Sequence, residues 1–369
     1  MNKSRHKRIL ILHDWLNVKD GGAERVLYEL LDMFPQADVA TLVYDNDKFG
    51  ARVGRHRVKT SWLQYLPKFL KQRPELLLPF VKHATEHLPT KGYDVVIAAS
   101  SAWVKNARLS GRTKMLVYCY SPARMLWDHW PEALTERTTN PLVRAYVTRL
   151  VSRLRLWDYY VSQESRREFV AISKVIVRRI QKFYHRPADV IYSPVDIPPI
   201  AATNRDLGYC IVSVLAPYKN IELAIRAFMG TKRKLVIAGD GPDRERLEAL
   251  ADGSTNIRFM GRISETDKLQ LLSRAQGFVF CNIEDFGIAP VEAIALGAPV
   301  IALRGGGLME TMIEGETAEF FDKPTVADVR AACDRAESRH WDVAKMHRQA
   351  KRFRTEVFRE ALRTRVEKI

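Results

Sequence analysis

Gly277-Phe278-Val279-Phe280-Cys281 runs without a break into Asn282-Ile283-Glu284-Asp285-Phe286-Gly287 and then into Ile288-Ala289-Pro290-Val291-Glu292-Ala293. A short apolar run, a turn holding Gly, and a Pro that opens a helix make a strand, a turn and a helix in succession. The next apolar run, Pro299 to Leu303, reads as another strand, and two strands joined through a helix lie parallel in one sheet. Upstream the same alternation gives strands at Tyr209 to Leu215, Lys234 to Ala238 and Ile257 to Met260. In the first half it gives Arg8 to His13, Val39 to Val43, Asp94 to Ala99, Met115 to Cys119 and Phe169 to Ile172. Between the halves, after Val190 to Tyr192, Ser193-Pro194-Val195-Asp196-Ile197-Pro198-Pro199 holds three prolines in seven residues, which cannot continue a helix or a central strand. The expected fold is α/β: two doubly wound, Rossmann-like domains, 1–193 and 194–345, with strand C-termini facing across a cleft. A charged terminal helix, 346–369, is expected to pack back across the hinge.

A chain of 369 residues, 46% hydrophobic, exceeds one ordinary domain. No run of about 18 uncharged apolar residues occurs, and Met1-Asn2-Lys3-Ser4-Arg5-His6-Lys7-Arg8 leads into a short apolar stretch rather than a signal core, so a cytoplasmic location is expected. Cys119, Cys210, Cys281 and Cys333 lack any CxxC spacing and read as buried reduced thiols. The net charge of +16 is lopsided: residues 1–193 hold 33 Lys and Arg against 18 acids, the remainder 26 against 25. That asymmetry calls for an anionic partner of the first half. From Arg52 to Arg73 seven basic residues, among them Lys59, Lys68 and Lys71, interleave with Trp62, Leu63, Tyr65, Leu66, Phe69 and Leu70, and no acid intervenes. Trp62, Leu66, Phe69 and Leu70 at helical spacing predict either an ordinary core helix or an interfacial element on anionic lipid. No nucleic-acid reader motif accompanies the charge, so no nucleic acid is expected as partner.

Two glutamates, Glu284 and Glu292, bracket seven residues. Pro290 at a helix's first position would put Glu292 in the opening turn, where a carboxylate is favoured, and a carboxylate accepts two O–H bonds from vicinal hydroxyls such as those of a sugar or a ribose. Gly305-Gly306-Gly307 follows the next strand. In the first half, strand Ile9 to Leu12 ends at His13-Asp14-Trp15, and Gly21-Gly22 opens a helix whose N–H groups can meet a phosphate or sugar. Asp45-Asn46-Asp47 reads as a solvated loop rather than a metal anchor, and no metal site is expected.

The array from Glu284 to Glu292 resembles the E-x7-E signature of retaining GT-B glycosyltransferases of family 4. Tyr218-Lys219-Asn220, Gly239-Asp240-Gly241-Pro242 and Gly261-Arg262-Ile263-Ser264 fit the same pattern in order, while His13-Asp14-Trp15, Gly21-Gly22-Ala23-Glu24-Arg25 and Tyr118 to Asp128 resemble a branch that builds O-antigen and exopolysaccharide units, often as mannosyltransferases. The resemblance implies a nucleotide-sugar donor, GDP-mannose among the candidates, no cofactor, and a lipid-linked or oligosaccharide acceptor at the inner membrane face. It implies that Glu284 contacts donor-sugar hydroxyls, Glu292 the ribose, and Lys219 the diphosphate, with Gly305 to Gly307 and Arg262 beside it and Gly21 and Gly22 opposite. The resemblance further implies Tyr120 near the reacting sugar, and His13 with the basic aromatic stretch is expected on the acceptor side. Two positions depart from the family. Ser213-Val214 replaces the usual Gly-Arg, removing a cation, and Tyr120 replaces a His, removing an imidazolium. Arg304 and Arg262 are the expected substitutes for the cation. The departures leave a non-catalytic GT-B scaffold or an altered-donor homologue as the alternative reading.

Overall fold

The computed structural model describes residues 7–17, 21–71, 74–128, 140–199 and 204–369. The leading residues 1–6 and the Arg73 end of the basic stretch lie outside them. The chain divides into two units, Met1–Tyr192 with Phe358–Ile369, and Ser193–Val357. Each unit is built on its own parallel sheet, seven strands in the first and six in the second.

In the first unit seven strands, β1 (Ile9–His13), β2 (Asp38–Thr41), β3 (Val58–Thr60), β4 (Val95–Ser100), β5 (Lys114–Cys119), β6 (Arg167–Ala171) and β7 (Ala188–Val190), lie in the order β3-β2-β1-β4-β5-β6-β7. Every pairing is parallel. Both faces are covered, so β4 is buried at every residue and reads as a continuous apolar run rather than an alternating one. The order reverses between β1 and β4, which opens a crevice at their carboxyl ends. The last helix completes this unit. Phe358 meets Tyr118 edge to face at 5.6 Å, Arg359 Nε donates to Glu29 at 2.6 Å, and Arg365 reaches Asp189 at 2.8 Å.

The second unit holds β8 (Tyr209–Val212), β9 (Leu235–Ala238), β10 (Ile257–Gly261), β11 (Gly277–Phe280), β12 (Val300–Leu303) and β13 (Ala318–Phe321), ordered β10-β9-β8-β11-β12-β13. Ile211, Ile225, Phe228, Ile237, Val279 and Phe321 anchor its core. Here the reversal falls between β8 and β11. The proline segment is extended, and Val195 N–H donates to the Phe353 carbonyl at 2.9 Å.

Three sequence expectations need correction. Trp62, Leu66, Phe69 and Leu70 do not share one helix: after β3 come a 3-10 turn at Trp62–Tyr65 and a separate four-residue helix, Lys68–Lys71. Leu66 is extended because the residue before a proline avoids the helical region. The helix after β11 is Ile288–Ala295, opened by Gly287 at φ 86°, so Pro290 is its third residue and Glu292 falls outside the first turn. Asp45 is not loop but the N-cap of the Asn46–Val53 helix, accepting from the Asp47 N–H at 3.1 Å. Among the described residues no helix is long and apolar enough to cross a membrane.

Candidate active site

The second unit's site is assembled at the carboxyl ends of β8 and β11. After β8, a 3-10 turn at Pro217–Lys219 ends on Asn220, whose φ of 52° turns the chain into the Ile221–Phe228 helix and leaves Lys219 at the strand mouth. After β11 comes Glu284. The Lys219 ammonium and the Glu284 carboxylate form an ion pair across the topological switch point, and Asn282 Nδ2 donates to the same carboxylate at 3.2 Å. The pair keeps partial exposure on both sides, 16% and 27% of the side chains, so a ligand can reach it.

Glu292, in the Ile288–Ala295 helix, is 5% exposed. Its charge is met not by the helix start but by the buried Lys268 of the Glu265–Arg274 helix, Nζ to Oε1 3.0 Å, which also reaches Glu265 at 2.7 Å. Sequence reasoning missed Lys268 as the partner of candidate Glu292, because nothing in the spacing links residue 268 to 292.

The glycine loop after β12 lies directly on the Glu284–Phe286 backbone. Gly307 N–H donates to the Glu284 carbonyl at 2.7 Å, and a Cβ on Gly306 or Gly307 would stand 2.2 Å or 2.3 Å from the carbonyls of Glu284 and Asp285. Only glycine permits that approach. Of the three expected donors Gly307 is therefore occupied, while the Gly305 and Gly306 amides have no partner among the described residues. Arg262 follows β10 with an exposed side chain. Arg304 is not available as a substitute cation, since Asp322 at 2.6 Å and Glu314 at 2.7 Å clamp its guanidinium and raise its pKa. Val214 is 47% exposed.

In the first unit His13 and Asp14 close β1. Asp14 is 3% exposed and its carboxylate accepts four backbone N–H bonds from Ser101 to Val104 at 2.6–3.0 Å, with the Ser100 hydroxyl at 3.1 Å. It ties the β1 and β4 loops across the first sheet's switch point. His13 is 4% exposed; its Nδ1 lies 3.2 Å from the Trp15 carbonyl, which makes Nδ1 the donor and leaves Nε2 an acceptor, buried without a partner. Gly21 is the N-cap of the Gly22–Met33 helix, and the Glu24 carboxylate folds back over it. Tyr120, at the mouth of β5, donates its hydroxyl to the Ala23 carbonyl in that helix's first turn at 3.0 Å, and burial pushes its ionisation far above the ordinary phenol value.

The remaining candidates sit elsewhere in this unit. Lys59 is held by Asp38 at 3.2 Å and by the Tyr93 hydroxyl. Trp62 donates to His83 Nδ1 at 3.0 Å and packs edge-on against Phe80. Lys68 is exposed beside Phe69, while Lys71 Nζ donates to the Gln64 carbonyl at 3.0 Å.

Two family models account for most of the chain. Residues 20–197 match Glycosyltransferase Family 4 and residues 198–353 match Glycosyl transferases group 1. The D-rhamnosyltransferase WbpZ of Pseudomonas aeruginosa is 35% identical over 115 residues, 30% of either chain. A GDP-mannose-dependent monoacylated alpha-(1-6)-phosphatidylinositol monomannoside mannosyltransferase of Corynebacterium glutamicum is 30% identical over 177 residues, 42% of this chain and 45% of that one. The chain thus spans less than half the length of these two curated relatives. Among solved structures, Anabaena HepE in complex with UDP superposes with a TM-score of 0.70 at 16% identity, over 98% of this chain and 100% of that one. A likeness at that identity speaks for the fold alone, and the two family matches add what it lacks: the chain belongs to the GT-B glycosyltransferases of family 4 type.

Proposed function

We propose that the protein transfers a hexose, mannose by preference, from a nucleotide-sugar donor to a membrane-associated glycan or lipid-linked acceptor, with retention of configuration. The observation that carries this reading is the Lys219–Glu284 pair at the β8/β11 switch point, beside the Gly305–Gly306 amides. An ammonium after β8 and two unpaired amides after β12, on either side of Glu284 after β11, can stabilise the negative charge that grows on a departing diphosphate. Glu284, released from Lys219 as the phosphate takes its place, accepts hydrogen bonds from sugar hydroxyls, while Glu292 receives the ribose. The leaving phosphate then takes the acceptor proton on the same face. The C. glutamicum relative, named for GDP-mannose and a phosphatidylinositol mannoside, supports the donor and acceptor classes. HepE, solved with UDP, supports a nucleotide ligand.

In the first unit the unpartnered His13 Nε2 is suited to accept an acceptor hydroxyl, and Tyr65 and Phe69, 86% and 64% exposed beside Lys68, are suited to an anionic membrane surface. The test is a panel of nucleotide sugars read by thermal stabilisation and by nucleotide release with a lipid-linked acceptor. A ligand at 100 times its Kd adds about 2.7 kcal/mol. Stabilisation by none of them would remove the donor site and leave the scaffold reading, which Val214 in place of the family's arginine favours.

A further inference from the structure

The helix Pro141–Ser162 is 22 residues long, about 33 Å, and its two faces are unlike. Val151, Leu154, Trp157, Asp158 and Ser162 are buried against the rest of the first unit. On the opposite side Leu142, Tyr146, Leu156 and Tyr160 are 79%, 59%, 57% and 68% exposed. Arg149 and Arg153, also exposed, fall on the same line, because the spacing 142, 146, 149, 153, 156, 160 follows one stripe of a helix. A water-facing stripe is expected to be polar. This one alternates leucine and tyrosine with arginine.

Charge identifies the occupant. Pro141 to Trp157 contains four arginines and no acid, the first acid being the buried Asp158, and among the described residues no carboxylate pairs with Arg149 or Arg153. A protein partner covering the stripe would have to bury both guanidinium groups along with the leucines. A nucleic acid would leave the leucines without apolar contact. At a bilayer surface both demands are met at once: leucines enter the acyl boundary, tyrosines lie at headgroup level, and arginines reach lipid phosphates along their own stems.

We propose that the outer face of the Pro141–Ser162 helix lies in the headgroup layer of an anionic phospholipid membrane, a contact separate from the Trp62–Lys71 segment. The inner face of the helix holds the Ser121–Asp128 loop: Trp127 Nε1 donates to Asp158 Oδ2 at 2.8 Å and Arg155 Nε to the Leu126 carbonyl. A lipid-linked acceptor would therefore be offered to a loop carried on the membrane-bound helix. This last step rests on the proposed transferase reading, whereas the lipid contact does not.

The experiment places an environment-sensitive fluorophore at Tyr146→Cys, the four native thiols being buried. Vesicles of phosphatidylcholine with 30% phosphatidylglycerol should shift its emission to the blue, and pure phosphatidylcholine should do so far less. Arg149→Gln with Arg153→Gln should weaken vesicle binding about thirty-fold, at roughly a factor of five for each cation lost. A probe that stays in water while the protein binds the same vesicles overturns the inference and leaves the Lys68 segment as the lipid contact. Failure of the protein to bind them at all, or a blue shift without lipid that grows with protein concentration and so reveals a second copy on the stripe, overturns it as well. Insertion of the probe by a protein that proves inactive with every donor upholds it and removes the transferase reading alone.

Discussion

At the mouth of β11 Glu284 faces Lys219 with about a quarter of its side chain in solvent, whereas Glu292 is closed off against Lys268. The two carboxylates should therefore fail differently. Glu284→Ala is expected to lower turnover with intact donor while leaving nucleoside diphosphate affinity within about two-fold. Glu292→Gln, which keeps one acceptor oxygen, should weaken diphosphate binding by roughly 10- to 100-fold, as expected for a lost hydrogen bond to a charged group of about 1.5–3 kcal/mol. Calorimetry with UDP and GDP checks both, and unchanged affinity in Glu292→Gln would withdraw the ribose assignment. Val214 yields a third test. Its side chain is exposed, so Val214→Arg should not lower the melting temperature by more than about 1 °C, surface changes being worth within about 0.5 kcal/mol. If the diphosphate sits beside it, donor affinity should rise in Val214→Arg and the gain should vanish in Val214→Arg with Lys219→Ala. Asp38 supplies a pH signature. Burial alone would raise its carboxyl, but the Tyr93 hydroxyl and the Lys59 ammonium hold it below the usual value. Its contribution is then present above the unfolded-state pKa and lost as pH falls through the lower folded-state pKa. Lys59→Ala should flatten the acid limb of the melting-temperature profile below about pH 4.

The strands that the sequence revealed have the longer apolar runs, such as β4 and β11, where every residue of the run is enclosed. The three that escaped it, β3 (Val58-Lys59-Thr60), β7 (Ala188-Asp189-Val190) and β13 (Ala318-Glu319-Phe320-Phe321), are edge strands, short and carrying a charge within the run. A charge within a run of three or four residues interrupts the apolar signal whether it is partly exposed, as at Lys59, or buried and paired, as Glu319 is with Arg335 and Arg339. Trp62, Leu66 and Phe69 show the converse error: helical spacing is visible in the sequence, yet Pro67 divides the segment into two short turns. At the site, Glu284, Lys219 and the glycine loop were legible because strand ends and glycines leave local marks, while Lys268 was not, its partner being 24 residues away in sequence. Asp14 was read only as part of a motif, although it is the element-level clasp of the first sheet. Asp14→Asn should expose that role. The amide offers one acceptor oxygen where two served, and turns N–H donors toward N–H donors. A loss of about 3 kcal/mol or more is expected, read as a lower urea midpoint with the loop Ser100–Val104 losing hydrogen-exchange protection.

Across the whole chain the basic excess and the membrane-suited surfaces both belong to the first unit, and the Lys219–Glu284 and Glu292–Lys268 pairs both belong to the second. All four cysteines are buried, and burial pushes the Cys119 and Cys333 thiols up to about 12, so a disulfide reagent at pH 8 should modify none of them until the chain is unfolded. The first unit is not contiguous in sequence. Its core takes Phe358, Leu362 and Val366 from the last helix, all less than 5% exposed, and removing residues 358–369 would give up roughly 5–9 kcal/mol of apolar burial, comparable with the stability of a domain. Hydrogen exchange on a chain ending at Val357 should show β4 to β6 unprotected while β8 to β12 keep their protection. On the ribosome this arrangement inverts the usual order. At about 5–20 residues per second, roughly 10–35 s separate the emergence of β7 from that of the final helix, and the second unit has all of its own residues once Val357 has emerged, just before the closing segment of the first. Throughout that interval Tyr118 in the nascent first half lacks the Phe358 ring that covers it, and the half that is translated first is the half that finishes folding last.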